Sequence, residues 1–201
     1  MRSLYDFIIT PFTDRYENEK VIDDKVLIVN TNIEDHKFIS KKAIIVKTPL
    51  AYNTPIEVGD EVYVHHNIFR RYYGMDGKEK NGSTFFKDNL YFCRFEQIYL
   101  YKHNNELYSN LEYCFVKPIY NKSSFDIDKE EPLTGVLKYT NPTLIKQGLD
   151  KEALITFTPN SEFEFIIDGE RLYCMKSNNI ALQHEYTGNE KEYNPSWAHC
   201  G

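Results

Sequence analysis

The sequence has no run of about 18 apolar residues, the length a helix needs to cross a bilayer; charged residues interrupt every such window. Its first residues lack the apolar core of a signal peptide. It has no excess of positive charge: 24 Lys and Arg against 30 Asp and Glu give a formal net charge of −6. No basic field would therefore draw nucleic acid or an anionic membrane to it. The one basic cluster, Arg70-Arg71 with Lys78 and Lys80, is expected to be a solvated loop. Four cysteines, Cys93, Cys114, Cys174 and Cys200, show no CxxC pair and no zinc-ligand spacing. Cys93 and Cys174 read as small hydrophobes inside strands, and a reduced, cytoplasmic protein is the expectation.

Catalytic signatures are missing too. There is no Gly-x-Ser-x-Gly, no phosphate loop and no His-Glu-x-x-His. Catalysis needs a nucleophile with its base, or paired carboxylates in a cleft. The expectation is a non-enzymatic chain with no catalytic residues, no cofactor and no metal. His65-His66 is read as two successive strand residues, whose side chains point to opposite faces and so would not share a metal. Asp88 and Asp168 are read as turn formers.

What is present is aromatic residues: 16 Tyr and 13 Phe, 15% of the chain with the tryptophan. Flat rings pack well across a pleated surface, and only one or two segments suit a helix. The predicted class is all-β. A chain of 201 residues can form one domain or two of about 100 each.

An internal repeat favours two. "NLYFCRFEQIYLY" near residue 90 and "RLYCMKSNNIALQ" near residue 172 both place Ile seven residues after Tyr, with a cation between: Tyr91, Arg94, Ile98 and Tyr173, Lys176, Ile180. "YDFIITPF" (5–12) is matched by "YCFVKPI" (113–119), "KAIIVKT" (42–48) by "TGVLKYT" (134–140), and "VGDEVYVHH" (58–66) by "GLDKEALITF" (148–157). Shared order makes a repeat of the whole unit the expectation. Taking Tyr5 with Tyr113 and Tyr91 with Tyr173 makes the second copy 26 residues shorter. The predicted domains are 1–104, carrying a long charged loop at 13–42; 105–186, lacking that loop; and a tail at 187–201. The polar stretch 102–110 is the expected linker, and the tail, with the lone Trp197, either docks on a neighbouring subunit or is unstructured. The loop 13–42 is charged except for Val26-Leu27-Ile28-Val29, which is either a short strand or a sticky patch on a loop.

The order "LYDFIIT", "VLI" on a long loop, "KAIIV", "VGDEVYV" and a Tyr-containing closing hairpin resembles the GroES family of co-chaperonins. The ending "SNNIALQHE" is similar to that family's closing strand. The resemblance covers 3–101 and again 113–185, as in tandem and phage-encoded members. It implies two GroES-like irregular β-barrels in one chain, assembled into a homo-oligomeric ring. That ring would cap a GroEL-type chaperonin, with its ATP or ADP, and assist protein folding. By position, Val26, Leu27 and Ile28 would be the chaperonin-binding tripeptide. A short apolar anchor on a charged segment binds reversibly, and a ring multiplies it. Where that family has glycines before the tripeptide, this chain has Asp23, Asp24 and Lys25, and its segment 70–85 is longer than the family pattern. The alternative is a phage capsid or tail component that reuses the barrel.

Overall fold

A computed structural model describes residues 3–22, 25–121, 130–185, 188 and 190–193. The chain divides into two compact units, Met1–Glu106 and Leu107–Gly201. The named strand pairs are all antiparallel, and the described residues contain one α-helix, α1 (Pro142–Lys146). The fold is β-rich, as the aromatic and β-branched composition requires.

The first unit contributes β1 (Phe7–Pro11), β2 (Glu19–Ile22), β3 (Lys25–Ile28), β4 (Lys42–Lys47), β5 (Glu61–Val64), β6 (Arg71–Tyr73), β7 (Glu79–Asn81), β8 (Phe85–Lys87), β9 (Leu90–Cys93) and β10 (Ile98–His103). The boundary between the units falls within β11 (Glu106–Ser109). One sheet runs β11-β10-β5-β4-β1-β9-β8, and β2-β3 and β6-β7 form separate two-stranded sheets. Alternation sends Ala43 and Ile45 of β4 and Tyr91 and Cys93 of β9 into the core. Residues 102–110, the expected linker, are instead the hairpin joining β10 to β11. Asn104 and Asn105 turn it at φ 49° and 66°, a conformation that Asn tolerates better than most residues.

The second unit contains β12 (Tyr113–Tyr120), β13 (Glu130–Tyr139), β14 (Leu154–Phe157), β15 (Phe163–Ile167), β16 (Glu170–Lys176) and β17 (Ile180–His184), ordered β15-β16-β12-β13-β14-β17. This is the order β8-β9-β1-β4-β5-β10 with each strand replaced by its later counterpart. Register agrees as well. Pro11 faces Ala43 and Pro118 faces Gly135; Ile9 faces Ile45 and Val116 faces Leu137. The closing pairs share one irregularity: Ile98 faces Val64 but Leu100 faces Tyr63, and Ile180 faces Phe157 but Leu182 faces Thr156. Each skips a single residue, the mark of a β-bulge.

Two details of the sequence matching are corrected by this register. Pro11 and Pro118 are 107 residues apart, so Phe7 corresponds to Cys114, and the match of Tyr5 with Tyr113 is slipped by one. A one-residue slip turns every side chain to the other face. In the observed register Phe7 and Ile9 point into one core, and Cys114 and Val116 into the other. The second correction concerns the turn before the third strand. The amides of Gly59 and Glu152 donate to Ile45 O and Leu137 O, and the amides of Ile45 and Leu137 donate to Asp60 O and Ala153 O. Glu152, at φ 69°, therefore takes the place of Gly59, at φ 96°; Gly148 does not.

Cys93, Cys114 and Cys174 are free and buried. Burial pushes the Cys114 thiol up to about 12 and those of Cys93 and Cys174 well above their usual value, so they pack as hydrophobes and present no thiolate. Part of the predicted tail returns to its own unit. Glu192 bridges to Ile119, Tyr193 N donates to Pro118 O (2.8 Å), and Lys117 Nζ lies 2.7 Å from Glu192 Oε2. Trp197 lies outside the described residues.

Candidate docking lobe on the first unit

The two units differ most in length at two places. Between Pro11 and Ala43 there are 31 residues, against 16 between Pro118 and Gly135; between Val64 and Leu90 there are 25, against 14 between Phe157 and Leu172. In the first unit the added residues form the hairpins β2-β3 and β6-β7. The predicted charged loop 13–42 is thus largely ordered as a hairpin. In it Glu19 faces Ile28, Lys20 faces Leu27, Val21 faces Val26 and Ile22 faces Lys25. Asp23 and Asp24, between the strands, lie outside the described residues.

Below β2 and β3 the chain continues as a ladder. Val29 N donates to Asn18 O (2.8 Å), Glu17 N to Phe38 O (2.8 Å), and Ser40 N to Arg15 O (3.1 Å). Asn30 ties the rungs together, its side-chain amide donating to Asn32 O at 2.9 Å. At the foot, Tyr16 pairs with Ile39, and both are buried in the core of the first unit.

Val26, Leu27 and Ile28 stand above that core, 59%, 49% and 69% exposed, with Ile22 and Val29 exposed beside them. Strand alternation places Val26 and Ile28 on one face and Leu27 on the other. A strand at the edge of the main sheet, packed on the core, would have buried them. Here the apolar residues are presented on both faces of a narrow ribbon. Of the 19 large hydrophobic residues exposed among the described residues, 14 belong to the first unit. Five of the 14, Ile22, Val26, Leu27, Ile28 and Val29, lie on or directly beside this hairpin; a contiguous exposed apolar patch is a candidate interaction surface.

The second hairpin explains the long segment at 70–85. Arg71 and Glu79 face each other's strands and form an ion pair of 2.5 Å. The turn closes through Gly74 N to Lys78 O (2.8 Å). Tyr72, Tyr73 and Met75 are exposed on it. Its foot meets the foot of the first hairpin. Arg15 Nε donates to Phe69 O and its NH2 to Arg70 O, while its NH1 reaches Asn81 Oδ1.

The histidines need a correction as well. His65 caps a 3-10 turn, His66–Phe69, and accepts a hydrogen bond from Asn67 N. The pair therefore lies outside the strand, and the two rings sit side by side, 4.4 Å apart. His36, from the turn His36–Phe38 that follows the first hairpin, approaches His66 to 5.4 Å. Burial, with His65, His36, Lys41 and Arg70 nearby, pushes His66 down to about 4. Among the described residues there is no group of three or more His, Cys, Asp or Glu suited to hold a metal, and no helix is long and apolar enough to cross a membrane.

No protein-family model matches this sequence. No curated protein matches it either.

Proposed function

We propose that the chain is a docking protein of the co-chaperonin kind: it binds a GroEL-type chaperonin through the β2-β3 hairpin, with Val26, Leu27 and Ile28 as the anchor. One observation carries the reading: three consecutive aliphatic residues, 49–69% exposed, stand on a two-stranded ribbon outside the core. The resemblance to the GroES family supplies the partner class. The tandem GroES-like barrels and the homo-oligomeric ring belong to this proposal.

The energetics favour a multivalent contact. Burying one aliphatic side chain fully contributes about 1.5–3 kcal/mol. The exposed part of three such residues gives a few kcal/mol, which corresponds to millimolar rather than nanomolar binding for one hairpin. A ring presenting several hairpins at once converts weak contacts into a stable cap. The client and ATP hydrolysis belong to the chaperonin in this scheme.

The test is to mix the purified chain with a bacterial GroEL-type chaperonin and ATP, and to follow complex formation by size-exclusion chromatography with light scattering. The expected result is nucleotide-dependent co-elution that Leu27→Asp abolishes. Absence of co-elution in every nucleotide state refutes the proposal and favours the alternative, a phage structural component.

A further inference from the structure

The ladder beneath the apolar hairpin ends on Tyr16, and what holds Tyr16 from the other side is the β6-β7 hairpin. Tyr16 Oη donates to Ile33 O (2.8 Å), within the first hairpin's own return path, and accepts from Arg71 N (2.8 Å), at the start of β6. The Arg71 guanidinium lies 4.5 Å from the Tyr16 ring centroid and is held there by Glu79. Its Nε is buried with no hydrogen-bond acceptor among the described residues, an arrangement that folded proteins avoid unless something else requires the group. Arg15, next in sequence to Tyr16, makes its three hydrogen bonds to Phe69 and Arg70, just before β6, and to Asn81, the last residue of β7. Higher up, Tyr73 N reaches Glu34 Oε1 at 3.4 Å. The contacts of Arg71 with Tyr16, of Arg15 with Phe69, Arg70 and Asn81, and of Tyr73 with Glu34 each join one added segment to the other.

From this we infer that β6-β7 is a brace for the apolar hairpin, with Tyr16 and Arg71 as its positioning residues. An isolated two-stranded hairpin is marginally stable in water. The ribbon β2-β3 has no third strand among the described residues, and its Ile22, Val26, Leu27 and Ile28 are exposed, so its order comes from the foot. The Tyr16 hydroxyl fixes two backbone groups on two segments, and the cation over its ring prevents the foot from swinging. Holding the anchor in one arrangement before contact reduces the ordering cost of docking. That consequence rests on the docking role proposed above, whereas the brace is a property of the free chain.

Hydrogen exchange in the free protein tests the brace without a partner. Tyr16→Phe keeps the ring and removes the hydroxyl; Arg71→Ala removes the cation; Arg71→Lys restores a cation over the ring. The expected result is that the amides of Glu17, Val29 and Ser40 exchange about tenfold faster in Tyr16→Phe and Arg71→Ala. Arg71→Lys should recover most of the protection, and the amides of Ile9 and Ile45 should keep wild-type rates in all three. Unchanged exchange at Glu17 and Val29 overturns the brace, as does equal acceleration at Ile9 and Ile45, which would mark general destabilisation. A chain that shows this pattern yet binds no chaperonin keeps the brace and loses the docking proposal.

Discussion

Glu152→Gly should make this protein more stable, because the internal repeat places glycine at that turn. Glu152 sits at φ 69° and makes the same backbone hydrogen bond to Leu137 that Gly59, at φ 96°, makes to Ile45. A residue with a Cβ in this left-handed region costs about 1–2 kcal/mol. Glycine loses about 0.5–1 kcal/mol more conformational freedom on folding. The side chain of Glu152 is exposed and forms no ion pair among the described residues, so little else changes. The balance is a gain of roughly 0.5–1 kcal/mol. For a unit of about this size that is roughly 3–6 °C in Tm, measurable by calorimetry or urea unfolding. The mirror change, Gly59→Ala, meets no atom within 4 Å of the new Cβ and should lose about 1 kcal/mol through conformation alone. A lower midpoint for Glu152→Gly would refute the equivalence of the two turns.

Other expectations follow from the same contacts. At Gly135 an added Cβ would lie 2.4 Å from Lys117 O and 2.6 Å from Val116 Cγ1, so Gly135→Ala should cost about 1–3 kcal/mol by overpacking, read from the denaturant midpoint. Leu27→Asp should leave Tm within about 1 °C of wild type, because Leu27 is half exposed outside the core. A large fall would mean that the hairpin is structural. His66 stays neutral in the fold to about pH 4, while an unfolded histidine protonates near 6.5. The unfolded chain therefore takes up its proton first as pH falls. Stability is full above about pH 6.5 and declines between 6.5 and 4, by roughly 1–2 kcal/mol for a half-buried site. His103, raised by its hydrogen bond to Asp60, acts in the opposite sense. His66→Asn should flatten the acid limb of a stability–pH curve, and an unaltered limb would refute the assignment.

The strands were legible because their alternation is strong: "KAIIV" and "NLYFC" put one face inward wherever they occur. The repeat was visible in its closing segments, where Tyr, a cation and Ile recur at fixed spacing. The opening register was not. Tyr-x-Phe suggested one alignment, and only the strand pairs of Pro11 with Ala43 and Pro118 with Gly135 fix it. The αL position before β14 was hidden for the same reason: glycine is the usual marker there, and the chain uses Glu152. His65-His66 was misread because "VYVHH" looks like a continuous strand, whereas the strand stops at Val64 and a 3-10 turn begins. The apolar tripeptide at 26–28 stood out against its charged surroundings. Its brace did not, since the partnership of Tyr16 with Arg71 spans 55 residues and has no local signature. The long loop 13–42 and the prolonged segment 70–85 were the signs that the first unit carries something extra, and neither told of a contact between them.

The central claim is that β2-β3 is the surface that meets the partner. Hydrogen exchange of the chain bound to a GroEL-type chaperonin with ATP, compared with the free chain, tests it most directly. Slowed exchange concentrated at residues 19–28, with β12–β17 unchanged, is the predicted result. Protection elsewhere, with 19–28 exchanging at the free rate in the complex, would contradict it.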